Sequence, residues 1–223
     1  ILVGATKGGV GKSVSSYNLA YSLASLGKKV LAVDFDSQAN LTTCFGVEDT
    51  AAVPVTIGHL MMAQMEDEKL RLEMGAERML ANIIEPLRDS YDYLIIDTCP
   101  ALGALTINAL AAADGVVITV NPQLLAMMGL QDFLKTIKKI KSRINPKLEV
   151  EGILLTMCEA RTNLCKVISE QVAETFEGQI KIFNSKIPST VKVGESIYYS
   201  KPLLEYAPET KACKAYIDFG KEL

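Results

Sequence analysis

The stretch Lys7-Gly8-Gly9-Val10-Gly11-Lys12-Ser13 determines the predicted fold of this chain. It follows the short apolar run Ile1–Val3 and precedes apolar residues at helical spacing. A strand, a glycine-rich turn and a helix in this order form the context of a phosphate-binding loop. Its glycines let backbone N–H groups point inward at phosphate oxygens, and the helix N-terminus adds partial positive charge. We expect Lys12 to contact the β- and γ-phosphates and the Ser13 hydroxyl to bind Mg²⁺.

Length and composition indicate an α/β chain that is large enough for a full hydrophobic core. Its 223 residues are 49 % hydrophobic and carry a net charge of −3, which gives no overall attraction to nucleic acid. The apolar runs have the length of strands, so no membrane span is expected. The five cysteines show no C-x-x-C spacing, which suits a reducing cytosol. We therefore expect a single domain over residues 1–223 and a cytoplasmic location.

Apolar runs alternate with helical patterns along the chain. The run Val30–Val33 leads to Asp34 and Asp36, which either cap the strand end or bind a ligand there. A second run, Tyr93–Ile96, ends at Asp97, as in a Walker B strand whose carboxylate supports Mg²⁺. Further strands are predicted at 116–120, 152–157 and 181–183, and helices at 12–26, 70–87, 130–144, 163–176 and 210–223. This alternation predicts an α/β fold with a doubly wound, mainly parallel sheet and helices on both faces.

The loop departs from the strict phosphate-loop pattern at Thr6, where that pattern has glycine, and Lys7 leads the loop instead. In this it resembles the deviant Walker A loop of the ParA/MinD family of P-loop ATPases. Four further stretches, 33–40, 97–110, 152–164 and 187–206, resemble ParA/Soj partition ATPases. The resemblance implies a homodimer dependent on Mg²⁺-ATP that slowly hydrolyses ATP to ADP and binds DNA non-specifically. It also implies a ParB-like partner that stimulates hydrolysis, a role in plasmid or chromosome partitioning, and association with the nucleoid.

The resemblance assigns roles to particular residues. Lys7 resembles the lysine that reaches the phosphates in the partner subunit, and Asp36 resembles the carboxylate that orients the attacking water. Lys7, Lys12 and Asp36 are thus the expected catalytic residues, and Ser13, Asp36 and Asp97 the expected Mg²⁺ site. The stretch Ile187–Ser189 resembles the loop that packs on adenine. The expected nucleotide-binding residues are Lys7, Gly8, Gly9, Val10, Gly11, Lys12, Ser13, Val14, Met157, Ile187, Pro188 and Ser189.

Three features depart from the family pattern. Val14 replaces the usual threonine, which removes a hydroxyl from the phosphates. Compared with the family, the stretch between Asn40 and Asp97 is shorter by roughly one strand, and the missing segment would lie near 66–70. Either an edge strand is lost or the sequence omits a mobile loop. Glu177 and Glu209 stand where the family has DNA-binding arginines, so DNA binding should be weakened and carried by lysines. Those lysines are Lys181, Lys186, Lys192, Lys201, Lys211 and Lys214, or the basic residues of helix 130–144, unless these are ordinary solvated faces.

Two other functions remain open at this point. A MinD-like membrane-associated ATPase would end in a basic amphipathic helix, whereas 216–223 has mixed charge and the helix breaker Gly220. A nucleotide-gated iron–sulfur reductase like the nitrogenase iron protein needs two suitably placed cysteines per subunit. Cys99 follows Asp97 closely, but its spacing offers no second ligand. We expect no membrane partner.

Overall fold

Parallel strands with helices on both faces form the framework of the protein. The computed structural model describes residues 1–5, 7–66, 75–100, 103–123, 126–159, 163–176 and 178–223. Within these residues the strands are β1 (Leu2–Gly4), β2 (Val30–Phe35), β3 (Tyr93–Thr98), β4 (Gly115–Val120), β5 (Glu149–Cys158) and β6 (Ile182–Pro188). They form one parallel sheet in the order β2-β3-β1-β4-β5-β6. The predicted fold class is confirmed.

Helices cover the sheet on both sides. They are α1 (Lys12–Ser25), α2 (Asn40–Cys44), α3 (Ile57–Glu66), α4 (Met79–Ile84), α5 (Ala104–Ala112), α6 (Ala126–Arg143), α7 (Asn163–Phe176), α8 (Val191–Tyr198), α9 (Leu203–Tyr206) and α10 (Lys211–Glu222). On one face Leu19 and Leu23 of α1 and Phe219 of α10 pack in the core, and on the other Phe133 and Val172 do. A strand covered on both faces is apolar throughout, and every residue of β4 is buried.

The strand order brings together the carboxyl ends of β1, β2 and β3, which lead to the glycine-rich loop and carry the acids. The order reverses between β1 and β4, and ligands of open α/β sheets bind at the carboxyl ends of the strands near such a point. In the register, Asp97 of β3 pairs with Val3 of β1 on one side and with Asp34 of β2 on the other. The glycine-rich loop after β1 and the acids at the ends of β2 and β3 therefore lie together at the carboxyl end of the sheet.

Several helix predictions need correction. Helix α3 forms in a stretch without a predicted element; none of its residues is fully buried, and Ile57 and Met61 pack only partly against the core. Of the helix predicted over 70–87, the part up to Met74 lies outside the described residues. The rest begins with a 3₁₀ turn, Ala76–Arg78, and continues as α4 and a second 3₁₀ turn, Glu85–Ser90. Helices α8 and α9 are short and had no predicted counterpart.

The helix predicted over 210–223 forms as α10 and continues through Gly220 to Glu222, so the glycine does not interrupt it. A Cβ at Gly220 would lie 3.4 Å from the Cβ of Ser22, so the glycine lets α10 approach α1 closely. No helix in the described part of the chain is both long and apolar enough to cross a bilayer.

Candidate nucleotide-binding site

The glycine-rich loop has the backbone of an anion cradle. Gly9 and Gly11 have φ of 72° and 77°, a left-handed conformation that side chains disfavour. A Cβ at either position would meet nothing within 4 Å, so the backbone, not space, requires glycine here. Gly11 is also the N-cap of α1 and offers no side-chain cap, so the first N–H groups of the helix are left for a ligand. The Thr156 hydroxyl donates a 2.8 Å hydrogen bond to the Val10 carbonyl and ties the loop to β5.

Charged side chains flank the loop at different depths. Lys7 is exposed, whereas Lys12, in the first turn of α1, is buried. A buried lysine is costly unless an anion accompanies it, and the charge of Lys12 acts on the Asp97 carboxyl. The two lysines therefore differ in their access to solvent, although they belong to the same loop.

Asp97 is the most enclosed acid of the site, with no solvent exposure. Its Oδ1 accepts a 3.1 Å hydrogen bond from the Ser16 hydroxyl. Its Oδ2 is buried and has no hydrogen-bond partner of good geometry among the described residues. Burial raises the pKa of Asp97 to about 6, although Ser13, Lys12 and Ser16 favour the ionised form. A buried carboxylate oxygen without a partner is suited to a cation or to a cation's water shell.

The two acids after β2 have different surroundings. Asp34 Oδ2 accepts hydrogen bonds from the backbone N–H and the hydroxyl of Thr42, at 2.7 and 2.6 Å. Its Oδ1 accepts one from the Asp36 backbone N–H, so Asp34 fixes the turn after the strand. The Asp36 Oδ1 accepts a hydrogen bond from the Gln38 backbone N–H at 3.0 Å, and Asp36 lines a cleft beside the loop. The capping alternative therefore fits Asp34, and the ligand-binding alternative fits Asp36.

A cleft of about 620 Å³ opens beside the loop, a volume typical of small-molecule sites. Its walls include most of the predicted binding residues, namely Gly8, Gly9, Gly11, Lys12, Ser13, Val14, Asp36, Met157, Ile187, Pro188 and Ser189. Lys7, Val10 and Asp97 are not wall residues. Helix α8 adds Val193, Gly194 and Ile197, and α10 adds Tyr216. The cleft is polar at the loop and apolar toward α8.

The apolar end of the cleft lies where β5 and β6 end. Ile187 and Pro188, expected in a loop, are the last residues of β6, and Ile187 is buried. The Ser189 N–H donates to the Cys158 carbonyl and holds the two strand ends together. Met157 has φ of 54°, unusual for a residue other than glycine, and is 42 % exposed. Such local strain is common at ligand sites.

Sequence reasoning missed residues that support the site from behind. Ser16 and Thr156 are buried and hold Asp97 and the loop, respectively. Single hydroxyl residues in a helix or strand carry no spacing signal, so only the fold reveals them. The α8 residues of the cleft were missed because α8 itself was not predicted. Glu177 lies outside the described residues, and Glu209 is exposed just before α10.

Comparison with related sequences identifies the family of this chain. A sequence profile described as an AAA domain matches residues 1–69 and 48–150. Sporulation initiation inhibitor protein Soj of Bacillus subtilis is 36 % identical over 245 residues, covering 97 % of this chain and 94 % of Soj. The chain belongs to the Soj/ParA family of ATPases. Chromosome partitioning protein ParA of Myxococcus xanthus is 34 % identical over 247 residues, covering all of this chain and 87 % of that ParA.

Solved structures share the fold of this Soj/ParA chain. Cobyrinic acid a,c-diamide synthase of Mycobacterium smegmatis, solved with an ATP analogue and magnesium, superposes with a TM-score of 0.83. It is 27 % identical, and the match covers 99 % of this chain and 91 % of that one. The septum site-determining protein MinD of Pyrococcus horikoshii, solved with Mg-ADP, has a TM-score of 0.76 at 22 % identity. That match covers 99 % of this chain and 94 % of MinD, and it supports the fold alone.

The alignments also bear on the short stretch before Asp97. The alignment with B. subtilis Soj is 245 residues long, more than the 223 residues of this chain, so Soj has positions without a counterpart here. The two ranges matched by the family profile overlap at 48–69, between β2 and β3. Within the described residues β2 is an edge strand. The loss of a strand beyond it remains a prediction.

Proposed function

We propose that this chain is a Soj/ParA-type switch that binds Mg²⁺-ATP in the 620 Å³ cleft and hydrolyses it slowly. The proposal rests on three features that lie together at the carboxyl end of the sheet. These are the glycine cradle at the N-terminus of α1, the buried Lys12, and the unpartnered Oδ2 of Asp97. The adenine would lie toward the apolar end, against Ile187, Pro188 and Met157.

The residues present fit a magnesium ion. Hydroxyl and carboxylate oxygens are the ligands that Mg²⁺ prefers, and it keeps several waters besides. Ser13 and Asp36 line the cleft, and Asp97 stands behind them with a buried oxygen left over. These three residues would hold the ion and its water shell. When bound, Mg²⁺ neutralises charge on the β- and γ-phosphate oxygens.

The protein groups would act by position and charge. Backbone N–H groups of the loop and the Lys12 ammonium group would bind the phosphates, and they stabilise the charge that spreads over the γ-phosphoryl oxygens. The Asp36 carboxylate would orient the water that attacks. The exposed Lys7 would reach the phosphates bound by a second copy, so the site is complete only in a dimer.

Partners follow from the same proposal. ATP would hold two copies together, a ParB-like protein would stimulate hydrolysis, and the dimer would bind DNA non-specifically through lysines. Lys186, Lys201, Lys211 and Lys214 are exposed, as the proposal requires. Exposed Glu209 stands among them and would weaken the interaction. Together these steps make up a partitioning switch.

The described structure speaks against the two alternatives. Helix α10 itself cannot act as a MinD-like membrane helix, which needs a free apolar face, because it buries Ala212, Cys213, Tyr216 and Phe219 in the core. A cluster shared between two subunits needs cysteines at the surface. Cys44, Cys158, Cys165 and Cys213 are buried, and Cys99 is only half-buried.

Calorimetric titration with Mg²⁺-ATP tests the proposal. Lys12→Ala should weaken ATP binding by roughly 10- to 150-fold, because hydrogen bonds to a charged group contribute about 1.5–3 kcal/mol. Lys28→Ala, an exposed lysine just after α1, is the control and should bind like the parent. Parent-like ATP affinity of a folded Lys12→Ala variant would show that the phosphates bind elsewhere.

A further inference from the structure

We infer that Ser16 is a positioning residue for Asp97: its hydroxyl holds one carboxylate oxygen and leaves the other for the Mg²⁺ shell. The inference deepens the proposed function and rests on it. Ser16 has no solvent exposure and donates to Asp97 Oδ1 across 3.1 Å. An ionised carboxylate only accepts hydrogen bonds, so the serine must be the donor.

The direction of this hydrogen bond is unusual for a serine inside a helix. Such serines often donate to the backbone carbonyl four residues earlier, as Ser22 does to the Asn18 carbonyl at 2.7 Å in the same helix. Ser16 instead donates its single proton across to β3, and Ser15 pairs with the Tyr216 hydroxyl on α10. Consecutive serines of α1 thus make different tertiary contacts, and only Ser16 of the two contacts the acid.

Spacing places the hydroxyls of Ser13 and Ser16 on the same side of α1. They are three residues apart and therefore lie on one face of the helix. Ser16 donates to Asp97 Oδ1, and Ser13 is the expected ligand of the metal. Without Ser16 the carboxylate could rotate, and Oδ1 would be left buried without its donor. Partners that orient metal-binding groups in this way typically change metal affinity roughly 10- to 100-fold.

The test is the Mg²⁺ dependence of ADP binding, measured by calorimetry in EDTA and over a series of Mg²⁺ concentrations. Ser16→Ala should raise the Mg²⁺ concentration for half-maximal enhancement of ADP affinity by roughly 10- to 100-fold. ADP affinity in EDTA should stay at the parent value, because the phosphate loop is unchanged. Ser22→Ala is the matched control, a buried serine of the same helix that bonds only to backbone, and should leave both quantities unchanged.

A second variant protects the test against misfolding. Ser16→Cys keeps nearly the same volume and donates only weakly, so it should shift the Mg²⁺ midpoint in the same direction by less. It decides the matter if Ser16→Ala does not fold. A midpoint within twofold of the parent, or an equal loss of ADP affinity with and without Mg²⁺, would overturn the role of Ser16. If the parent protein itself bound no ADP, that result would contradict the proposed function and not the role of Ser16 alone.

Discussion

At the scale of single residues, the ionised carboxyl group of Asp97 destabilises the nucleotide-free protein. The group is fully buried at the end of β3, and burial raises its pKa from 3.8 to about 6. The folded chain therefore holds the proton more tightly than the unfolded chain does. This contribution to stability is fully present below pH 3.8 and is lost as the pH rises through 6. At neutral pH the folded protein therefore keeps an ionised Asp97 carboxylate, which lowers its stability but can interact with a cation.

Asp97→Asn should therefore stabilise the nucleotide-free protein at pH 8 while abolishing the effect of Mg²⁺ on ADP binding. The rise in pKa by about 2 units sets an upper limit of about 3 kcal/mol, which corresponds to several degrees in Tm. Thermal unfolding at pH 8 and pH 4.5 checks this, and the gain should shrink at the lower pH, where Asp97 itself becomes neutral. Asp36→Asn is the control for removing a charge nearby. A lower Tm of Asp97→Asn at pH 8 would contradict the prediction.

At the scale of elements, the Glu222 side chain links the C-terminal helix to the edge strand β6 and adds to the packing of Phe219 on Phe183. The Glu222 carboxylate accepts hydrogen bonds from the backbone N–H groups of Asn184 and Ser185, both at 2.8 Å, and from the Ser185 hydroxyl. Although burial opposes it, these hydrogen bonds and Lys181 lower the pKa of Glu222. The helix in turn packs on α1, so this contact supports the helix that carries the phosphate loop.

Glu222→Ala should lower the free energy of unfolding by about 1–3 kcal/mol, because two strand N–H groups lose their acceptor. Asp218→Ala, which removes a surface ion pair with Lys221, should change it little. Urea unfolding of the parent and both variants makes the comparison. Equal midpoints for Glu222→Ala and the parent would mean that water replaces the carboxylate at no cost.

Sequence patterns predicted elements where burial imposes a pattern. The strands β3 to β5 were found because their central residues are buried on both faces and form apolar runs, and β2 was found because Val30–Val33 is apolar although most of this strand is only half-buried. Helix α3 was missed because it fully buries none of its residues, and the extent of β6 was missed because its buried and exposed residues alternate. In the site, the loop and the strand-end acids follow from motif spacing. The supporting hydroxyls of Ser16 and Thr156 are set by tertiary contacts that no local pattern reports.

At the scale of the whole molecule, the distribution of charge on the surface bears on DNA binding. The net charge is −3, so any attraction to DNA must be local. On α6, Lys135 pairs with Asp132 and Lys141 pairs with Glu149. These ion pairs leave fewer unpaired positive charges on that helix for DNA phosphates. A dimer presents two sets of lysines to one duplex, so that weak individual interactions become effective together. DNA binding, if lysines carry it, should then depend on ATP.

Replacing both acids by arginine, Glu177→Arg with Glu209→Arg, should tighten ATP-dependent binding to a random duplex. The log–log salt slope should steepen by roughly 0.9 for each additional phosphate that the protein neutralises, with no change in ATP affinity. Fluorescence anisotropy at several salt concentrations measures both the affinity for the duplex and the slope. Asp89→Arg, an exposed acid ahead of β3 at the opposite edge of the sheet, is the charge control. An equal gain from Asp89→Arg would show that only net charge matters, and no binding at low salt with ATP would remove DNA from the proposal.

Sedimentation velocity measures whether ATP joins two copies of this chain. Asp36→Ala removes the carboxylate proposed to orient water and keeps the phosphate contacts, so the variant should sediment as a dimer with Mg²⁺-ATP and as a monomer without nucleotide. Adding Lys7→Ala to this variant should return it to a monomer with ATP present, because Lys7 is proposed to reach the partner's phosphates. Asp36→Ala that stays monomeric when saturated with ATP would contradict the switch, and a double variant that still dimerises would remove the role of Lys7.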